Sequence, residues 1–210
     1  MRIVHYMNQF FGGVGGEDKA ALPPEFRIGA VGPGRMLEQL LGSDAKVVAT
    51  VICGDNYAAE NLPTVALAVT NVVKESKADL FFAGPCFQAG RYGTAAGEFS
   101  ASVQSQLGIP AITGMDVENP GVDLYRESVC IVASGPDVSG MQNALTNMAR
   151  LGSKLVNKEA MGQPAAEGYI SQGVLRSEFV DQTAAYRLGQ MLQLKISCLL
   201  YTSPSPRDRG

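Results

Sequence analysis

The sequence lacks most of the motifs by which proteins commonly reveal a function. It has one histidine, no cysteine pair at C-x-x-C spacing, no P-loop, no G-x-S-x-G elbow and no metal-ligand spacing. No apolar run reaches the roughly 18 residues that span a bilayer. The net charge is −3 and lysine and arginine do not cluster, so we expect neither a nucleic-acid partner nor a membrane partner.

The composition is that of an ordinary soluble globular protein. The 210 residues are 46% hydrophobic and 18% charged, and this length can bury one sizeable core. The stretch Met1–Tyr6 has the character of a strand and carries no signal-peptide pattern. We therefore expect a cytoplasmic protein.

Short apolar runs rich in β-branched residues alternate with helical patterns, which predicts an α/β fold. The predicted strands are Ile3–Tyr6, Val47–Cys53, Leu80–Ala83, Ala111–Thr113 and Val129–Val132. The predicted helices are Arg35–Leu41, Leu62–Lys77, Thr94–Leu107 and Val138–Val156. We expect a three-layer sandwich around a mostly parallel five-stranded sheet, flavodoxin-like or Rossmann-like, over residues 1–157.

Four loops follow the predicted strand ends and should converge on one crevice, where ligands of open α/β sheets bind. They run over residues Asn8–Glu17, Cys53–Tyr57, Gly84–Gly93 and Gly114–Asp123. In the third loop, Gly84, Gly90 and Gly93 would let the backbone approach a ligand closely. Arg91 in that loop could bind a carboxylate or phosphate with its planar fork. The pattern favours a site for a small acid.

The substrate-binding candidates are polar and aromatic residues of these loops: Arg91, Tyr92, Asp55, Asn56, Tyr57, Glu118 and Asn119. Arg91 could anchor a carboxylate, or form a structural ion pair with a strand-end carboxylate such as Asp55. Asp55 and Glu118 could recognise an ammonium group or cap helices. Tyr57, Tyr92 and Phe87 could enclose a methylated amine by cation–π contact, or simply pack.

Cysteine and histidine residues favour structural roles. We expect Cys53, Cys86 and Cys130 to be small buried side chains in a reducing compartment. Cys53 and Cys86 both lie at predicted strand ends, so a redox pair is the alternative. His5 lies inside the first strand, where a hydrogen-bonded core position is favoured over a general base.

Seven stretches, in order along the chain, resemble one family, the component B large subunit of glycine, sarcosine and betaine reductases, which carries selenocysteine. They are His5–Glu17, Val31–Gly34, Val51–Asp55, Gly84–Gly93, Gly108–Met115, Glu118–Asp123 and Glu167–Ile170. The resemblance covers about residues 1–190.

The resemblance implies reductive cleavage of the C–N bond of glycine, sarcosine or betaine. It implies a partner subunit with a pyruvoyl group that can take an amine substrate as a Schiff base. The selenolate of the large subunit would then attack the methylene carbon, and the two-carbon acid would pass to the selenoprotein A component. A further component would release acetyl phosphate, with thioredoxin supplying electrons.

The resemblance also implies that the nucleophile is absent from this chain, because nothing in residues 1–210 corresponds to the family's selenocysteine loop. We therefore expect an N-terminal fragment that holds no catalytic residue, cofactor or metal and is inactive alone. Residues 158–197 would be a linker and the start of a missing C-terminal part. Residues 198–210 resemble a translated sequencing adapter, which would make them non-native. The alternatives are a non-catalytic small-acid-binding or assembly domain and an unrelated α/β isomerase or transferase.

Overall fold

The computed structural model describes residues 1–173 and 182–196, which belong to two separate compact units. The strands of the first unit are β1 (Arg2–Asn8), β2 (Glu25–Ile28), β3 (Lys46–Cys53), β4 (Leu80–Ala83), β5 (Ala111–Met115) and β6 (Cys130–Ala133). Its helices are α1 (Pro33–Leu41), α2 (Asp55–Glu60), α3 (Leu62–Glu75), α4 (Gly90–Leu107), α5 (Pro120–Tyr125), α6 (Met141–Val156) and α7 (Pro164–Glu167). The fold is α/β, as the sequence predicts.

The six strands form one mixed sheet in the order β2-β3-β1-β4-β5-β6. All neighbours pair in parallel except β2, which runs antiparallel to β3 along the edge. The prediction of five strands was therefore wrong, because it omitted this edge strand. In β2 the apolar Phe26 and Ile28 face outward, with Ile28 99% exposed, so no core-facing apolar pattern marked it as a strand.

Helices cover both faces of the sheet because the central strands are buried on both sides. On one face, Ile3 and Phe82 of the sheet pack with Leu37 of α1 and Leu145 of α6. On the other, helices α2 to α5 bury their apolar residues around Tyr6. The second face also carries the candidate site.

Three helices begin where the sequence analysis expected loops. α2 starts at Asp55, α4 at Gly90 and α5 at Pro120, so Arg91 and Tyr92 lie in the first turn of α4. Glycines in a helix weaken it unless packing needs them. In α4, a Cβ on Gly93 would lie 2.2 Å from Asn119 Oδ1, so the glycine permits the close approach of α5.

Residues 158–173, for which we predicted a linker, contact the sheet of the first unit. Tyr169 forms an isolated antiparallel β-bridge with Val132, and the Ile170 N–H donates to the Ile131 carbonyl at 2.7 Å. Glu167 is fixed by ion pairs with Arg150 and Lys154. The Glu167–Ile170 motif therefore holds this segment against edge strand β6.

The described part of the second unit is residues 182–196, of which helix α8 spans Ala184–Ile196. The predicted adapter sequence, residues 198–210, lies outside the described residues.

Candidate functional site

The site lies outside the carboxyl ends of the parallel strands. β1 has β3 on one side and β4 on the other, so the order of the parallel strands reverses at β1. Such a reversal opens a crevice at the strand ends of α/β sheets. The loops after β1, β3 and β4 meet there, because Asn8 bonds Asp55, and Arg91 bonds both Asn56 and Glu17.

Asp55 is the central acidic group. It is 8% exposed; Asn8 Nδ2 donates to its Oδ2 at 3.0 Å, and its backbone N–H donates to Gln9 Oε1 at 3.1 Å. Its other carboxylate oxygen, Oδ1, is buried and has no hydrogen-bond partner among the described residues. Burial raises the pKa of Asp55, opposed by the Asn8 hydrogen bond and the positive charge of Arg91.

Two tyrosine hydroxyls share this environment. Tyr6 on β1 and Tyr92 on α4 are fully buried, with ring centroids 5.7 Å apart in an edge-to-face contact. Neither hydroxyl has a hydrogen-bond partner in the described part of the chain. Burial raises the pKa of both, and the charge of Asp55 contributes to each shift. The two tyrosine rings are therefore in direct contact, and the pKa of each hydroxyl is raised further by the charge of Asp55.

Arg91 lies on the outer side of the crevice. Its guanidinium donates to Asn56 Oδ1 and to Glu17 Oε1, the latter at 3.0 Å. The ion-paired side chains are well exposed, 53% for Arg91 and 71% for Glu17. The structural ion pair that the sequence analysis weighed is therefore present, but with Glu17 rather than with Asp55.

Glu118 and Asn119 differ sharply in their surroundings. Glu118 is exposed, and its backbone N–H donates to Asp116 Oδ1 at 3.1 Å. Asn119 is 2% exposed and caps α5 by accepting from Gly121 N–H at 2.9 Å. Its amide also donates to the Phe87 carbonyl at 2.8 Å. Asn119 thus fixes the loop after β4.

The loop glycines make room for protein atoms. A Cβ on Gly93 would meet Asn119, and one on Gly90 would lie 3.2 Å from Pro120. Gly84 has a φ of +90°, in the left-handed region that favours glycine. These three positions shape the loop after β4 and the α4–α5 contact.

Aromatic rings close the inner side of the crevice. Phe11 lies 5.8 Å from Phe87 and 6.2 Å from Tyr92 between ring centroids, and Phe87 is 5% exposed. Tyr57 is half-buried and packs against the same core. Tyr92 and Phe87 are therefore part of the aromatic packing around the unpaired hydroxyls.

The three described cysteines are buried thiols. Burial raises the pKa of Cys53 and Cys130 to about 12, and it raises the pKa of Cys86 well above its ordinary value. Cys53 Sγ lies 3.6 Å from the Leu22 carbonyl, and Cys86 Sγ lies 4.0 Å from Thr113 Oγ1. All three are free, so the Cys53–Cys86 pair is not formed in this structure. Such thiols are poor nucleophiles.

His5 is a fully buried residue of β1. Its Nε2 lies 2.7 Å from the Gly84 carbonyl, which makes Nε2 the protonated nitrogen of a neutral ring. Burial lowers the pKa of His5 to about 4. The hydrogen-bonded core position favoured from the sequence is confirmed.

Sequence reasoning missed Tyr6, Asn8 and Gln9. All three lie in or directly after β1, where a buried residue in a strand is normally core. The available signal was that Asn8 and Gln9 are polar residues directly at a strand end. The unpaired hydroxyl of Tyr6 becomes visible only in three dimensions.

The described residues contain neither a cluster of metal-ligating side chains nor a membrane-spanning helix. Histidine, cysteine, aspartate and glutamate side chains nowhere gather in a group of three or more that could hold a metal ion, within that part of the chain. No helix among the same residues has the length and apolar character needed to cross a membrane.

Comparison with known proteins places the chain in context. A sequence model of the family described as glycine/sarcosine/betaine reductase selenoprotein B matches residues 1–206. No solved structure matches the chain.

Curated relatives are named for all three substrates. A glycine reductase complex component B subunit gamma from Carboxydothermus hydrogenoformans is 47% identical over 98% of this chain and 47% of its own length. The sarcosine reductase complex component B subunit beta of Peptoclostridium acidaminophilum is 45% identical over 94% of this chain and 45% of its own length. The betaine reductase complex component B subunit beta of the same organism is 35% identical over 93% of this chain and 45% of its own length. The chain thus spans about half the length of these relatives.

Proposed function

The chain belongs to the glycine/sarcosine/betaine reductase selenoprotein B family, and from this we propose that it is part of a component B subunit of such a reductase complex. The reaction we propose for the parent protein is reductive cleavage of the C–N bond of glycine, sarcosine or betaine. The observation that carries the proposal is the family match over residues 1–206. The whole protein would be an oxidoreductase.

For the described residues we propose a binding role, separate from bond cleavage. The thiols of Cys53, Cys86 and Cys130 are at most 8% exposed, and burial raises the pKa of each, which argues against a nucleophile among them. We assign the nucleophile to a selenocysteine outside residues 1–210, in the part of the relatives that this chain does not span. Selenocysteine supplies an ionised, polarisable nucleophile, as a thiolate does. The isolated chain should therefore be inactive.

The partners we propose follow from the family. They are a component B subunit with a pyruvoyl group, the selenoprotein A component and thioredoxin as the source of electrons. A cytoplasmic location and a strict-anaerobe source complete the proposal. We further propose a flavodoxin-like relationship for the fold, supported by the parallel order β3-β1-β4-β5-β6.

Arg91 remains our candidate for binding the substrate carboxylate. Its present partners are a neutral amide, Asn56, and the exposed Glu17. An exposed ion pair contributes only about 0–1 kcal/mol, so a ligand carboxylate could replace Glu17 at little cost. Asn56 would keep the guanidinium in place during the exchange.

A chimaera tests the proposed function. Residues 1–173 of this chain would replace the matching part of the Carboxydothermus relative, and the product would be assayed with the other components of that relative's complex for substrate-dependent release of amine. We expect activity with at least one of glycine, sarcosine and betaine, and none from the 210-residue chain alone. A folded chimaera that is inactive with all three substrates would refute the proposal. Turnover by the chain alone would refute the location of the nucleophile.

A further inference from the structure

Three buried polar atoms near the carboxyl end of β1 have no hydrogen-bond partner among the described residues. They are Asp55 Oδ1, Tyr6 Oη and Tyr92 Oη, on residues that are 8%, 0% and 0% exposed. Tyr6 and Asn8 point to the same face of β1; Asn8 donates to Asp55, and the Tyr6 ring contacts Tyr92. Buried polar groups are nearly always hydrogen-bonded, and leaving one unpaired lowers stability. Unpaired groups at the crevice where α/β proteins bind ligands are suited to hydrogen-bond with a ligand.

We infer that the Asp55 carboxylate and the hydroxyls of Tyr6 and Tyr92 form an inner subsite for the ammonium group of a small amine or amino acid. This inference deepens the proposed function, and the identification of the ligand as an amino acid rests on that function. The subsite itself rests only on the three unpaired groups and their surroundings.

The chemistry of the three groups selects a cation. A carboxylate oxygen accepts hydrogen bonds and attracts positive charge, and the hydroxyl oxygens can accept as well. The rings of Tyr6 and Tyr92, which are in edge-to-face contact, would add cation–π attraction for ammonium and methylated ammonium groups. An anion in the same place would be repelled by Asp55. Asn8 donates to the other carboxylate oxygen, Oδ2, and Gln9 accepts from the Asp55 backbone N–H.

The chain also orients a ligand that carries both charges. Asp55 and Asn56 are neighbours in the sequence, as are Arg91 and Tyr92, and Asn56 bonds Arg91 on the outer side. Each pair thus contributes one buried side chain, Asp55 or Tyr92, and one outer side chain, Asn56 or Arg91. An amino acid can place its ammonium group on the buried side and its carboxylate toward Arg91.

Binding to the full 210-residue chain tests the inference, with calorimetry or ligand-observed NMR as the readout. The probes are methylammonium, glycine, betaine and acetate. We expect saturable binding of methylammonium or of the amino acids, and none of acetate to the inner subsite. Asp55→Asn should weaken ammonium binding about tenfold to a hundredfold, because a hydrogen bond to a charged group is lost. Tyr92→Phe should weaken it about threefold to tenfold.

Asp116→Asn is the matched control. Asp116 is also a carboxylate at a strand end with 8% exposure, but its Oδ1 is satisfied by Gln88 and the Glu118 backbone. This variant should bind the probes like the wild type. Arg91→Gln should weaken glycine binding and leave methylammonium binding unchanged, which separates a zwitterion from a simple amine as the natural ligand.

The inference is overturned if no ammonium probe binds, or if Asp55→Asn binds as well as the wild type while thermal unfolding shows it folded. Equal losses in Asp55→Asn and Asp116→Asn would also overturn it, since they would indicate a general structural effect. These measurements need no turnover. An active chimaera with no ammonium binding would leave the proposed function intact, whereas binding with an inactive chimaera would refute only the proposed function.

Discussion

Replacing Tyr92 by phenylalanine is expected to stabilise the ligand-free protein. The Tyr92 hydroxyl is fully buried and has no hydrogen-bond partner among the described residues, so its desolvation is not compensated. The ring stays in place in the variant, with its contacts to Tyr6 at 5.7 Å and Phe11 at 6.2 Å between centroids. Only the unpaired group is removed.

The size of the effect follows from the cost of an unpaired buried group, which is about 1–3 kcal/mol. We expect Tyr92→Phe to raise the free energy of unfolding by about 1 kcal/mol, the low end, because the Asn8 backbone N–H lowers the pKa of this hydroxyl against the larger effect of burial. For a chain of this length, that corresponds to a rise in Tm of about 2–4 °C. Urea unfolding followed by circular dichroism measures it.

Tyr169→Phe is the control, since it removes the same atom from a satisfied site. The Tyr169 hydroxyl donates to the Gly162 carbonyl at 2.8 Å, and the residue is 6% exposed. Its loss should lower the free energy of unfolding by about 1 kcal/mol. If Tyr92→Phe destabilises the protein as much as Tyr169→Phe does, the Tyr92 hydroxyl is paired and our reasoning about the site fails.

Three further predictions concern other positions. Burial raises the pKa of Asp55 above its ordinary 3.8, so the contribution of Asp55 to stability is greatest below pH 3.8 and is lost as the pH rises through the folded pKa. Asp55→Asn should therefore unfold at a higher urea concentration than the wild type at neutral pH. The difference in stability between the two proteins should close in acid. The Lys154 hydrogen bond lowers the pKa of Glu167 below its ordinary 4.5. Glu167→Gln should therefore be less stable than the wild type at neutral pH. The stabilities of the two proteins should converge as the pH falls through the folded pKa of Glu167. Gly93→Ala places a Cβ 2.2 Å from Asn119 Oδ1 and should lower the free energy of unfolding by about 1–3 kcal/mol, whereas wild-type stability in thermal melts would contradict the described α4–α5 contact.

The sequence predicts those helices and strands whose buried residues form a recognisable apolar pattern. β4, with Leu80, Phe81, Phe82 and Ala83 all buried, reads as a continuous apolar run and was predicted with its observed bounds. Edge strand β2 left no such mark, because pairing with β3 holds it while its apolar residues face outward. The start of α4 was missed because glycines favour a loop locally, and only the packing of α5 makes them fit a helix.

The site was accessible to prediction only through position in the chain. Asp55, Asn56 and Arg91 follow strand ends, and loops after parallel strands meet at one edge, so these residues could be expected together. Which groups they bind could not be foreseen: Arg91 pairs with Glu17, which lies 74 residues away in the chain. Tyr6 could not be distinguished from core, because an unpaired hydroxyl is a property of what surrounds it.

Stability and binding, measured on the same variants, distinguish a ligand site from a packing defect. A defect that serves no function predicts that Tyr92→Phe and Asp55→Asn stabilise the protein and change no binding. A ligand site predicts that both variants gain stability in the absence of ligand and lose affinity for ammonium probes, because the unpaired groups that destabilise the free protein are those that the ligand satisfies. At saturating ligand the wild type should gain more stability than either variant, because stabilisation of the folded state by a ligand increases with the affinity of that ligand. That change with ligand follows only if the three unpaired groups of this crevice bind one cation together.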